Sequence, residues 1–519
     1  MNNKNSLSIF TILLLLFFSC KIQGQGFDKT MKDSLMLYNK ILSKKQLHKD
    51  LKILLAIHEK ANSGLYQYHS KRQIDSIYNT TIKSIKKPMS VIDFYKIMLH
   101  LADYEGSVHN YTIPDLDLIN FLKRQKSFFP FPLIYLGGQI IFDGKSSDIP
   151  HGSRIRSINS VNDVQLMRSF YKYYTADGYN ITEKLSASVD KSFGINYLLE
   201  YGLCDEFIVE YNAPDSESLE KKVIAAVTLN QRETNIKNRF SAPVTDLTDY
   251  KKQPPYSFRM LNPSIGLLNL RWFGMAYGAK DPKFEIYVKF LDSVFTELDS
   301  NKVSNLIIDV RNNPGGSDPN FQQPVMYLTD KPFKENIKAS IIFDPNFLPF
   351  EKYFWGVSTS QRMDSLSIKM GKEYLKDVYP VFKNNISLQN QKYNPVYLPK
   401  LPLFKGTLYL LINENVASAA SHFASLVKGY VQNVTIVGVE TVGGYYVHNG
   451  HSPLVYELPH SKIKTQFSIV NLVQDAPKKD NQPEGHGIIP DHEVWPSLED
   501  FFQQKDTQME FILKLIKIK

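Results

Sequence analysis

The segment Leu306–Pro319, Leu-Ile-Ile-Asp-Val-Arg-Asn-Asn-Pro-Gly-Gly-Ser-Asp-Pro, constrains the fold more than any other stretch. Leu306, Ile307, Ile308 and Val310 form a short apolar run closed by turn residues, which predicts a buried strand. A strand that stops at a glycine pair leaves backbone N–H groups exposed and lets the chain come close to a ligand. In acyl-transfer chemistry such N–H groups bind the oxyanion of a tetrahedral intermediate. Taken alone, the motif equally describes a strand followed by a tight turn.

The chain has 519 residues, enough for more than one domain and a large core. Hydrophobic residues make up 43% and charged residues 22%, an ordinary globular balance. The net charge of +9 is spread along the chain without a long Lys/Arg block, which argues against a nucleic-acid partner. The N-terminus reads Met-Asn-Asn-Lys, then an apolar run from Ile9 to Phe18, then Ser19-Cys20. A charged start before an apolar run too short to span a bilayer predicts an export signal within residues 1–25. Phe17-Phe18-Ser19-Cys20 resembles a bacterial lipobox, in which Cys20 is lipidated and ties the protein to a membrane of the cell envelope, facing the periplasm. Cleavage near Gln23-Gly24-Gln25, giving a secreted chain, is the competing reading. Cys204 is the other cysteine, so the mature chain has no internal disulfide pair.

Along the chain, residues 26–130 read as an N-terminal helical domain, with Leu51, Leu54, Leu55, Ile57 and later Phe94, Tyr95, Met98 at roughly helical spacing. It runs into a loop at Asp103–His109. Residues 131–230 change to strand-like runs, Pro132–Leu136 and Gln139–Phe142 around Gly137-Gly138. Gly152-Ser153-Arg154-Ile155-Arg156-Ser157-Ile158-Asn159 followed by a helical stretch at Val164–Tyr173 resembles a PDZ domain, a module that binds peptides by strand addition. A small α/β spacer is the plainer alternative. Residues 231–519 alternate strand and helix and predict an α/β catalytic domain with a parallel or mixed sheet. Within it, residues 331–400, rich in aromatics, Pro and Lys, read as an inserted cap.

After the apolar strand Thr407–Ile412 comes Asn-Glu-Asn-Val-Ala-Ser-Ala-Ala, with Ser418 at the start of a helix. Small neighbours admit a substrate backbone, and a helix N-terminus offers N–H groups and a positive dipole end. The same position also suits a simple N-cap.

Together these stretches resemble the C-terminal processing (tail-specific) serine peptidases: Asp309-x-Arg311-x-Asn313-x-Gly315-Gly316, Ala417-Ser418-Ala419-Ala420, Gly438-x-x-Thr441-x-Gly443 and Gly485-x-Gly487-Ile488-x-Pro490-Asp491, in that order. The resemblance spans about residues 90–519 and implies a crotonase-like α/β catalytic domain, an oxyanion hole from Gly315 or Gly316 with Ala419, and hydrolysis of polypeptide bonds near C-termini. It implies no metal and no cofactor. One departure stands out. The family's Ser–Lys dyad has its lysine just after the second Gly of Gly-x-x-Thr-x-Gly, and here that residue is Gly444. Lys428 and Lys462 fit no family position. A serine hydroxyl needs a base.

The tricorn-core-like branch of the family uses a histidine from a loop after the N-terminal helices, with a glutamate to orient it. Glu105-Gly106-Ser107-Val108-His109-Asn110 matches that loop, and Glu484 matches the glutamate. The resemblance therefore implies Ser418 as nucleophile, His109 as base and Glu484 as its orienting partner, with the base titrating at about 6 to 7. His422, one turn after Ser418, is expected to be buried beside the site, and His448 and His451 lack a third ligand at zinc-like spacing. The rival reading is a catalytically inactive peptide- or ligand-binding protein of the same fold. Nothing in the sequence decides the oligomeric state.

Overall fold

The computed structural model describes residues 36, 38–146, 148–241 and 254–518; residues 1–25, expected from sequence to hold an export signal and Cys20, lie outside them. The chain divides into two compact units. One combines the residues up to Leu122 with Glu335–Pro395 and Val447–Gln474; the other combines Lys123–Lys334, Val396–Tyr446 and Asp475–Lys519.

The second unit contains a six-stranded sheet in the order Tyr256–Asn262, Ile265–Leu270, Asn305–Asp309, Thr407–Ile412, Val434–Gly438, His492–Glu493. The first pair is antiparallel and every later pair parallel. Parallel neighbours need crossover connections, and the helices Pro282–Ser300 and Ala419–Tyr430 occur in two of them. Side chains alternate between faces along each strand. Leu306, Ile308, Leu408 and Leu410 therefore join Leu291, Phe423 and Leu426 in one core. Ile307, Tyr409 and Leu411 join Ile512, from the C-terminal helix Thr507–Ile518, in another. Both faces are covered, which is why the Leu306–Val310 run carries no polar alternation.

The same unit holds an antiparallel sheet, Leu133–Leu136, Gln139–Phe142, Arg154–Ile158, Glu206–Asn212, Leu219–Ala225. Gly137 and Gly138, both at positive φ, form its first hairpin. The helices Asp163–Phe170 and Phe193–Tyr201 contribute Leu166, Phe170, Phe193 and Tyr197 to the core beneath it, with Ile155 and Phe207 from the strands.

In the other unit three helices, Lys44–Ala61, Lys71–Ser84 and Val91–Tyr104, each start at a serine whose side chain accepts a backbone N–H. Its seven-stranded sheet runs Phe354–Gly356, Val447–Glu457, Lys464–Gln474, Asn336–Ile341, Ile386–Leu388, Phe382–Lys383, with Tyr111–Ile113 also paired to Lys464–Gln474. Ile57, Ala61, Leu375, Val378, Leu454, Phe467 and Ile469 fill the core between helices and sheet. Residues 335–395, read from sequence as part of a cap inserted in the catalytic domain, share a core with the helix Lys44–Ala61 and a sheet with the strand Tyr111–Ile113. No helix among the described residues is long and apolar enough to cross a membrane.

Candidate active site

Two neighbouring parallel strands, Asn305–Asp309 and Thr407–Ile412, end side by side, and the loops that follow them are stitched together by asparagines. The Asn312 N–H donates to Asn413 Oδ1 at 2.8 Å, and the side-chain amides of Asn413 and Asn415 donate to Asn312 Oδ1 at 2.7 and 2.8 Å. Asn313 holds the glycine turn. Its Oδ1 accepts the Gly315 N–H at 2.9 Å and its Nδ2 donates to the Leu270 carbonyl at 2.9 Å.

Ser418 sits at φ 52° and ψ −126°, a conformation costly for a residue with a Cβ, of order 1–3 kcal/mol. It immediately precedes the helix Ala419–Tyr430, yet its hydroxyl makes no cap hydrogen bond to that helix. The N-cap explanation of this serine therefore fails. The strained turn is packed against glycines that leave no room for a side chain. A Cβ on Gly315 would lie 2.8 Å from Ser418 Cβ and 2.9 Å from the Ala419 nitrogen, and one on Gly443 would lie 3.2 Å from the Ser418 nitrogen. Ser418, Gly315 and Ala419 are thus brought together. Gly316 pairs with Phe273 in a parallel bridge through the flanking groups, the Gly315 carbonyl and the Ser317 N–H. In such a bridge the N–H of the middle residue points away from the partner strand.

Beneath the turn, Arg311 donates to Asp309 at 3.0 and 2.7 Å and, through both terminal nitrogens, to Asp506 at 2.8 Å, fastening the strand end to the C-terminal segment. Arg311 and Asp309 are buried. Replacing Arg311 with alanine is expected to destabilise the fold by about 3–5 kcal/mol, because paired carboxylates would be left buried without a cation. Urea unfolding checks this, and a loss below about 1 kcal/mol would contradict it.

The second side of the site is the loop from Thr441 to Tyr446. Gly444 stands where the family has its lysine, and its N–H donates to the Asp177 carboxylate at 2.9 Å. Asn180 donates to the Thr441 carbonyl at 2.6 Å, and the Tyr179 N–H to the Gly485 carbonyl at 2.8 Å. The segment Asp177–Asn180, from the part of the chain that forms the antiparallel sheet, is therefore bonded to this loop. Lys428 is buried and spends its ammonium on the Ile489 carbonyl at 2.7 Å and Gln482 Oε1 at 3.1 Å; burial pushes its pKa down. Lys462 pairs with Glu457 at the surface. His422 is buried, its ring against Phe321, as expected. Four residues before Ser418, burial pushes the Glu414 carboxyl up; burial and then Glu414 raise Glu183 to about 8.

His109 belongs to the other unit, in the loop that closes the Val91–Tyr104 helix. Three helices and this loop converge on one buried carboxylate. Glu105 accepts from His58 Nδ1 at 2.9 Å, Tyr78 Oη at 2.9 Å and Asn110 Nδ2 at 2.7 Å, while His58 Nε2 meets Thr465 Oγ1 at 3.0 Å. Just beyond the loop, Tyr111–Ile113 enters the sheet. Both ends of the His109 loop are thereby fixed. The imidazole is half-buried, 6.2 Å from the His448 ring. Desolvation, and secondarily His451, bring its pKa down to about 4, against a hydrogen bond with the Asn449 backbone. This lies below the 6 to 7 expected from sequence. His451 itself bonds Glu335 at 2.7 Å.

Glu484 departs most from the sequence expectation. Its side chain is 82% exposed and 3.9 Å from the Lys478 ammonium, on a turn that continues through Gly485 at φ 76°. The carboxylate engaged with this turn is Glu440, which accepts the Gly487 N–H at 2.8 Å and contacts His486 Nδ1 at 3.0 Å. Sequence reading missed Glu105, Asp177 and Glu440, whose partners are remote in the chain.

The model of peptidase family S41 matches residues 265–494. No curated protein is significantly similar to the chain. Among solved structures, the crystal structure of mature CPAF is similar with a TM-score of 0.58 at 14% identity, covering 91% of this chain and 96% of that one. Mature CPAF complexed with lactacystin gives 0.58 at 15% identity, over 92% and 98%. The photosystem II D1 C-terminal processing protease gives 0.37 at 14% identity, over 90% and 96%. Residues 265–494 thus match peptidase family S41, and the chain shares its fold with mature CPAF.

Proposed function

We propose that this chain is an exported serine endopeptidase that hydrolyses polypeptides near their C-termini. The observation that carries the reading is Ser418: a strained serine at a strand–helix turn, its hydroxyl not used as a cap, with Gly315 and the Ala419 nitrogen packed against it. Ser418 Oγ attacks the peptide carbonyl. The N–H groups of Ala419 and Gly316 bind the oxyanion, since that of Gly315 already serves Asn313. His109, neutral at physiological pH, accepts the serine proton and returns it to the leaving amine. The Glu105 cluster keeps its loop in place. Glu484 enters as the orienting carboxylate that the resemblance implies; being exposed here, it contributes less than His109. Residues 131–230 would serve as a PDZ-like module for substrate segments.

Labelling by a serine-directed fluorophosphonate tests the reading: one adduct at Ser418, absent in Ser418→Ala, is expected, and no adduct would leave the chain a binding protein. That second reading has one specific support, the glycine at position 444.

Export and anchoring at Cys20 are supported by the apolar run Ile9–Phe18 and the lipobox-like residues around the cysteine. Cys20→Ser is expected to move the protein from the membrane to the soluble fraction. A native mature N-terminus at Gly26 would refute the anchor.

A further inference from the structure

The helix Lys44–Ala61 buries Leu47, Leu51, Leu54 and Ile57 on one side and turns a row of lysines outward on another. Lys44, Lys45, Lys49 and Lys52 line a cavity of about 830 Å³, with Lys352 supplied by the short helical turn Glu351–Tyr353 opposite. The floor is apolar, made by Ile53, Ala56, Phe350 and Tyr353. Among the described residues the lining holds no Asp or Glu. Nearby carboxylates are engaged elsewhere: Asp50 is buried with Ser461, and Glu351 pairs with Lys372. The lysines on the helix cover about 12 Å along its axis. Like charges this close repel one another unless an anion joins them.

We propose that this groove is a docking site for the headgroups of an anionic phospholipid surface. Three features favour that ligand. The cations are all lysines, compact point charges suited to phosphates and lacking the planar fork of arginine. The apolar floor beneath a cationic rim matches a phosphodiester joined to a glycerol ester. The walls are a helix and a 3-10 turn, with no sheet edge on which a peptide strand could add. Among the described residues, the groove lies on the first long helix of the chain. None of this depends on Ser418 or His109.

The test uses the full chain carrying Cys20→Ser, so that no acyl group contributes, and measures co-sedimentation with phosphatidylcholine vesicles holding about one quarter phosphatidylglycerol. Each lysine near an anionic surface is worth about fivefold in partitioning, so Lys45→Gln/Lys49→Gln/Lys52→Gln should bind roughly a hundredfold more weakly. The charge-matched Lys283→Gln/Lys289→Gln/Lys302→Gln, at exposed positions on another helix and the turn after it, should bind like its parent. Peptidase activity should be unchanged in both. Equal binding by the groove variant, or equal binding to pure phosphatidylcholine, would overturn the proposal. So would displacement by low millimolar inorganic phosphate, which would mark a soluble phosphate ligand, or binding of polyglutamate without vesicle binding, which would mark an acidic polypeptide.

Discussion

Replacing Ser418 with alanine is expected to lower peptide hydrolysis by about a millionfold while leaving the protein folded. The rate falls because no other hydroxyl takes over attack on the carbonyl. Ser421, the nearest serine on the helix, donates its hydroxyl to the Ser418 carbonyl at 2.8 Å. The fold survives because the Ser418 hydroxyl caps nothing, so alanine removes no helix-terminal bond. Alanine also inherits the same positive φ, so the strain is unchanged. A companion variant makes this quantitative. Ser418→Gly should be equally inactive but more stable by about 1 kcal/mol, since glycine tolerates the turn without a Cβ penalty. Turnover of a fluorogenic peptide and thermal unfolding of both variants provide the check. A Ser418→Ala protein with undiminished turnover would end the serine mechanism, and a Ser418→Gly protein no more stable than wild type would mean that the turn is not strained.

The catalytic sheet was legible because its signals are local. The apolar runs at Leu306–Ile308 and Leu408–Ile412 are uninterrupted, as strands covered on both faces must be, and each is followed by a turn with a distinctive composition. The helix expected to start at Ser418 begins at Ala419 because Ser418 itself leaves helical geometry. The other unit was far less legible. Its sheet assembles strands from Tyr111–Ile113, Asn336–Ile341 and Lys464–Gln474, and no periodicity within one segment announces a partner so distant. The same limit applies to polar clusters. Glu105 reads as an ordinary loop residue until His58, Tyr78 and Asn110 are seen around it. Glu484 shows the reverse limit. Its motif is spelled correctly, but a motif says nothing about whether a turn faces inward, and here the carboxylate faces solvent and Lys478.

Loss of the His109 imidazole is expected to cost four to six orders of magnitude in rate, roughly what removal of a triad base costs elsewhere. The pH profile separates this base from a lysine. His109 must be neutral to accept a proton, and burial brings its pKa to about 4. In wild type kcat/KM should therefore rise with pH through about 4 and stay level to neutrality, where an unshifted imidazole would place the limb at about 6.5. If Lys428 were the base, activity would instead climb on the alkaline side, because burial lowers an ammonium from a much higher starting point. Stability gives an independent reading of the same group. The unfolded imidazole binds its proton at about 6.5 and the folded one only near 4, so the unfolded state holds more protons between those values. The His109 contribution is complete above about pH 6.5 and is lost as pH falls toward 4. His109→Gln should remove that part of the acid sensitivity as well as the activity. Near-normal turnover in His109→Gln would exclude histidine 109 as the base and make Lys428→Gln the next variant to assay. An inactive His109→Gln with unchanged acid stability would instead keep the base and reject the depressed pKa.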